Sequence, residues 1–182
     1  RHAITKMAQW HFVAAAPYRD RVVQMGEAPG RVFDVGAPGL DALDDIAWLG
    51  RDALAQDLGL DLQAPLLLVT WHPETLSSTP PGEAMDELLQ ALAAFPEATL
   101  VLSYPNADAG GRALIAQIDR FVQAVPARRH AAASLGQRRY LSLMRIADAV
   151  VGNSSSGLTE APALKVATVN VDFVVNAHAE PD

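Results

Sequence analysis

The 182-residue chain is half apolar and 19% charged, the composition of a folded domain, and its formal net charge is −7. That balance, with no lysine or arginine block, argues against a nonspecific nucleic-acid partner, and the lack of cysteine excludes disulfide scaffolds, zinc–thiolate sites and thiol nucleophiles. No apolar run approaches the roughly 20 residues that a bilayer span needs, and no secretory signal is visible, so no membrane partner and a cytoplasmic location are expected.

Residues 4–9 suit a short helix, and 10–15 a strand with Trp10, Phe12 and Ala14 on one face. Pro17 fits the first turn of a helix that reaches Met25, with Gly26 beyond it. A short strand over 31–35 is closed by Gly36, Pro38 and Gly39. Helices are expected over 41–48 and 52–58, the second capped by Gly59. Leu66, Leu67, Leu68 and Val69 then form a continuous apolar strand, of the kind buried on both faces in a parallel sheet. After a loop over 70–79, Pro81 leads into a helix with Ala84, Leu88, Ala91, Leu92 and Phe95 at helical spacing. A strand over 99–103 follows, and then a helix that turns Leu114, Ile118, Phe121, Val122 and Val125 inward. An alanine-rich strand over 129–133, a helix over 137–147 and strands over 149–151 and 167–171 complete the order.

Strands alternating with helices predict an α/β fold, a doubly wound parallel sheet covered on both faces. Six strands are expected after residue 30, enough for one domain over 31–171. Residues 1–30 are read as a remnant and connector of a preceding domain, and 172–182 as an atypical tail. The start at Arg1 without a methionine suggests a piece of something larger.

In such a sheet, ligands sit beyond the carboxyl ends of the strands. Each polar cluster of the chain falls at one of these ends. Ser154, Ser155, Ser156 and Gly157 follow an apolar strand and Gly152, and precede a short helical stretch carrying Glu160. Serine hydroxyls, close backbone approach at glycine and unused N–H groups at a helix start suit a phosphate. The same residues are also ordinary turn and capping chemistry. His72 can serve an anion or a sugar from the end of the first long strand, or simply cap a loop. Asn106 and Asp108 precede Arg112 at the next strand end, where Asp108 also suits a helix cap. Ser134, Leu135 and Gly136 form a turn that could offer backbone groups to a flat base. Glu160 either stabilises its helix start or accepts the two hydroxyls of a ribose whose diphosphate rests on the serine loop. Neither a catalytic carboxylate pair nor a nucleophile–base triad stands out.

The run Gly152, Asn153, Ser154, Ser155, Ser156, Gly157, Leu158, Thr159, Glu160, Ala161, Pro162 resembles the nucleotide-binding signature of the UDP-N-acetylglucosamine 2-epimerases. Arg1 to Lys6, Gly26 with Glu27, Val35 to Gly39, His72 with Pro73, Tyr104 to Asp108, and Ser134 to Gly136 with Tyr140 and Leu141 are similar in the same order. Pro105, Asn106, Ala107 and Asp108 resemble the hydrolysing branch, which makes N-acetylmannosamine for sialic-acid-type sugars, more than the reversible one. The resemblance implies one Rossmann-like half of a GT-B type two-domain enzyme, with the active site between its domains and the substrate UDP-N-acetylglucosamine. It implies His72 as a catalytic-cleft residue, and UDP held by Gly36, Asn106, Ser134, Leu135, Ser154, Ser155, Ser156, Gly157 and Glu160. The implied reaction is anti elimination of UDP to a 2-acetamidoglucal followed by hydration. It requires no cofactor and no metal, and family members commonly form homodimers through the other domain, which is missing here apart from its last stretch. After Asn170 the family's arginine-rich segment and closing helix do not follow, so this chain alone is expected to bind UDP weakly and turn over nothing.

Overall fold

The computed structural model describes residues 2–73, 79–105 and 111–171. The chain forms two compact units, residues 1–46 and 47–182. In the first, α1 (His2–Met7), β1 (His11–Val13), α2 (Ala16–Gln24), β2 (Val32–Asp34) and α3 (Pro38–Asp41) follow one another, and β1 pairs in parallel with β2. Ala16 and Pro17 open α2, and Gly26 beyond its end takes φ +95°, a left-handed conformation that glycine adopts without cost. Lys6 Nζ and His11 Nε2 converge on the Glu27 carboxylate at 2.8 and 3.3 Å, tying the first helix and strand to the turn after α2. The strand expected to open the larger domain at residue 31 therefore belongs to the smaller unit, because its partner is β1. The helix expected over 41–48 is also absent: α3 stops at Asp41 and turns follow.

The second unit carries α4 (Arg51–Leu58), β3 (Leu66–Thr70), α5 (Pro81–Ala93), β4 (Thr99–Ser103), α6 (Gly111–Ala124), β5 (Arg129–Ala132), α7 (Gly136–Ile146), β6 (Ala149–Gly152), α8 (Glu160–Ala163) and β7 (Ala167–Asn170). Five strands form one sheet in the order β5-β4-β3-β6-β7, every pair parallel. Gly59 ends α4 at φ +66° as expected.

Alternation along the strands explains how both faces are covered. Val69, Leu100, Leu102 and Val151 pack with Met85, Leu88, Leu89 and Leu92 of α5 and Leu114 and Ile118 of α6. Leu66, Leu68, Val101 and Val150 are buried on the other face, where α7 contributes Leu141, Leu143 and Met144. Each leucine so buried contributes about 1.5–3 kcal/mol of hydrophobic stabilisation. Among the described residues no helix is long and apolar enough to cross a membrane.

The order of the strands fixes where loops can open. From β3 the chain moves to β4 and β5 on one side, then returns to β6 and β7 on the other. The loops that leave β3 and β6 therefore diverge from neighbouring strands, and a crevice at their carboxyl ends is the natural ligand position of this architecture.

Candidate functional site

At this switch point the register aligns Thr70 with Gly152. Gly152 takes φ +141°, and a Cβ built there would lie 1.8 Å from the Thr70 carbonyl oxygen. Only glycine lets β6 turn away so close to its neighbour. The Asn153 N–H then donates to Thr70 C=O at 3.2 Å. The Asn153 side chain reaches His72, with Oδ1 accepting from the His72 N–H at 2.8 Å and Nδ2 donating to its C=O at 2.7 Å. His72 is half-buried, and this bridge holds its backbone beside the start of the serine loop.

The loop itself is a single 3-10 turn, Ser155–Gly157, capped by Ser154, whose Oγ accepts from the Ser156 N–H at 3.3 Å. The hydroxyls of Ser154 and Ser156 are 3.1 Å apart. Among the described residues the backbone N–H groups of Ser154 and Ser155 make no hydrogen bond, and Ser155 is exposed. Gly157 is buried, its C=O accepting from Thr168 Oγ1 at 3.0 Å, and a Cβ there would meet the Thr168 methyl at 3.0 Å. The short helical stretch carrying Glu160 starts at Glu160 itself and has only four residues. Thr168 holds Gly157 against β7, and Thr159 bonds Ser155 C=O through both its N–H and Oγ1, which leaves the chain in turns until Glu160. The donors available to an anion are thus individual N–H and hydroxyl groups, not the dipole of a long helix. Glu160 is half-buried, and its carboxylate shares the Thr159 hydroxyl proton with Ser155 C=O.

At the carboxyl ends of β3 and β4 runs a chain of hydroxyls that sequence reading did not anticipate. Ser103 Oγ donates to Thr70 Oγ1 at 3.0 Å, and Thr70 Oγ1 lies 3.3 Å from the Tyr140 hydroxyl on α7. Tyr104, one residue past β4, donates to the Asp119 carboxylate on α6, and this bond, with burial, pushes its pKa up to about 12. A raised folded-state pKa contributes stability that is complete below the ordinary tyrosine value and is lost as pH rises through the folded one. Tyr104 is therefore expected to ionise near pH 12, read as the absorbance step that Tyr104→Phe removes. Tyr104→Phe should flatten the loss of stability between about pH 10 and 12. A step at about pH 10 that disappears in Tyr104→Phe would contradict this.

Ser134 and Leu135 sit apart from the serine turn in sequence, at the carboxyl end of β5. Ser134 is exposed, with its Oγ accepting from the Gly136 N–H at 3.2 Å, and Leu135 is buried. Leu135 and Gly136 line a cleft of about 470 Å³ together with Leu49, Asp57, Arg138 and Arg139. Arg139 grips the Asp57 carboxylate, partly through Nη2 at 3.0 Å, and that bond holds the carboxyl below its ordinary range. Arg138 Nε donates to Ala47 C=O at 2.6 Å. Gly36, at φ +77°, lies in the smaller unit, its N–H 3.4 Å from Asp34 Oδ1. Asn106 and Asp108 lie outside the described residues.

The architecture brings together His72, Asn153 and Ser154 to Gly157 at the reversal of the sheet, with Glu160 next along the chain. A sequence profile of UDP-N-acetylglucosamine 2-epimerase matches residues 1–174. The chain belongs to the UDP-N-acetylglucosamine 2-epimerase family. Among curated relatives it is 34% identical over 171 residues to the GDP/UDP-N,N'-diacetylbacillosamine 2-epimerase (hydrolyzing) of Campylobacter jejuni, a match covering 94% of this chain and 44% of the relative. It is also 34% identical over 172 residues to the polysialic acid biosynthesis protein P7 of Escherichia coli, covering 94% of this chain and 43% of that protein. The chain thus spans less than half the length of these epimerase-family relatives. Among solved structures, the UDP-GlcNAc 2-epimerase of Neisseria meningitidis, bound to UDP-GlcNAc, superposes with a TM-score of 0.75 at 14% identity, over 93% of this chain and 46% of that one. At that identity the epimerase match shows the shared fold and nothing finer.

Two contributors to the crevice escaped sequence reading. Asn153 stands inside the signature, but as an asparagine after a strand-ending glycine it reads as a turn residue. Its signal was the side-chain amide, which carries a donor and an acceptor like a peptide group. Tyr140 was visible as part of the family pattern, but not as a partner of Thr70.

Proposed function

We propose that the protein to which this chain belongs is a hydrolysing UDP-N-acetylglucosamine 2-epimerase, and that residues 47–171 are its Rossmann-like nucleotide-binding half in a GT-B type arrangement. The observation that carries the reading is the serine turn opening at the sheet's reversal beside His72. Relatives named as hydrolyzing support the branch, at 34% and 30% identity. In this reading Ser154, Ser155 and Ser156 hold the diphosphate through hydroxyls and unused N–H groups, and Glu160 accepts the ribose hydroxyls. Ser134 and Leu135 face the base, and His72 serves the reacting sugar. Charge-assisted hydrogen bonds of this kind are worth about 1.5–3 kcal/mol each.

The chemistry follows from the leaving group. Removal of the proton at C2 and rupture of the bond from C1 to the phosphate oxygen release UDP and leave a double bond between C1 and C2. Water then adds its hydroxyl at C1 and a proton at C2 on the opposite face, which inverts that centre. Incubation of the whole protein with UDP-N-acetylglucosamine in deuterated water should release UDP and free N-acetylmannosamine in equal amounts, with deuterium at C2. Accumulation of UDP-N-acetylmannosamine would move the protein to the reversible branch. Failure to release UDP would overturn the assignment for this sugar. A preference for a diacetylated sugar, such as the one in the name of the Campylobacter relative, would change the substrate and keep the reaction.

A further inference from the structure

The two bonds between Asn153 and His72 do more than close a loop. Their lengths, 2.8 and 2.7 Å, are those of well-formed hydrogen bonds. One primary amide presents to His72 the donor and acceptor that a neighbouring strand would present, and so extends the β3–β6 pairing past the Thr70 and Gly152 pair. Asn153 is held in turn by its own N–H on Thr70 C=O, and the next residue, Ser154, caps the serine turn. Fixing both the N–H and the C=O of His72 fixes the direction in which its Cα–Cβ bond leaves the chain. The same amide sets that direction relative to the serine turn, because both hang from residues 152–154.

We propose that Asn153 is a positioning residue that aligns His72 with whatever anion rests on the serine turn. The inference depends on the reading above, in which His72 serves the reacting sugar. Aspartate at this position would keep an acceptor for the His72 N–H but turn an oxygen toward its C=O, and alanine would lose both bonds.

The test is a mutant cycle on the whole protein, following UDP release from UDP-N-acetylglucosamine by wild type, Asn153→Ala, Asn153→Asp, His72→Ala and the double variants. Asn153→Ala is expected to lower kcat about 10- to 30-fold while KM moves less than about threefold, since misplacement of a reacting group costs rate more than binding. In the His72→Ala background, adding Asn153→Ala should slow the enzyme by less than about twofold, because the group it positions is gone. A purely structural Asn153 would instead slow both backgrounds alike and lower the melting temperature of both, which overturns the proposal. So does an unchanged kcat in Asn153→Ala. Should the alanine variant fail to fold, Asn153→Asp supplies the same comparison, and failure of both to fold overturns the proposal. If His72→Ala alone keeps wild-type kcat, the role given to His72 falls first and this inference falls with it; a slow His72→Ala with additive losses condemns the inference alone.

Discussion

Gly152→Ala is expected to destabilise the larger unit by at least about 3 kcal/mol, among the largest effects available to one methyl group in this chain. Two independent causes act together. The backbone is at φ +141°, where an L side chain is strained, and the added Cβ would lie 1.8 Å from a backbone oxygen, Thr70 C=O. A flexible side chain could move aside from such a contact, but Thr70 is paired with β6 and sits at 6% exposure in the middle of the sheet. Relief would require β3 and β6 to separate at their carboxyl ends, which breaks the bond from Asn153 to Thr70. Gly82→Ala provides the contrast. Gly82 lies in α5, where a Cβ would meet only the Gln117 amide at 3.7 Å, an ordinary contact. Alanine there should be neutral or stabilising by up to about 1 kcal/mol. Urea unfolding of both variants checks the pair, and a Gly152→Ala midpoint equal to that of wild type would contradict the geometry.

The second large effect concerns binding. Ser155→Asp is expected to weaken UDP binding by the whole protein about 100-fold, while leaving its unfolding midpoint almost unchanged. Ser155 is exposed, and its side chain makes no hydrogen bond among the described residues, so the substitution should not disturb the turn. It would place a carboxylate beside the Ser154 and Ser155 N–H groups, which the proposed reading assigns to the diphosphate. Two like charges about 6 Å apart repel by roughly 3 kcal/mol at an effective dielectric constant near 20, which sets the expected factor. Ser155→Ala keeps the backbone donors and should cost only about three- to fivefold, the share of one neutral hydrogen bond. Calorimetric titration with UDP distinguishes the two. Equal, small losses in both variants would place the diphosphate elsewhere.

The sheet was legible in the sequence wherever local pattern and burial agree. Leu66, Leu67, Leu68 and Val69 could belong only to a strand covered on both sides, and Leu88 with Leu92, or Leu114 with Ile118, mark the helices that cover it. The strand over 31–35 was recognised as a strand, but its partner was not, because strand pairing is nonlocal and three residues carry no register signal. The helix expected over 41–48 gives way to turns after Asp41. Beyond it, the Ala47 C=O accepts from Arg138 and the Leu49 N–H donates to Ser142 Oγ, both on α7, so these groups are committed to tertiary bonds. In the site, the serine cluster was readable because it is contiguous, whereas the Asn153 partner lies 81 residues away. Tertiary bonds across such distances decide how the crevice is built, and no window of sequence contains them.

The central position of β3 has a consequence for synthesis on the ribosome. The Leu66 N–H donates to Asp148 Oδ2, from a residue 82 positions later, and Leu68 pairs with Val150 of β6. At about 5–20 residues per second, the nascent chain carries an unfinished sheet for roughly 4–16 seconds before that second neighbour can arrive. During this interval one flank of the apolar strand Leu66–Val69 lacks its second neighbour, which leaves the growing chain open to mispairing until β6 emerges.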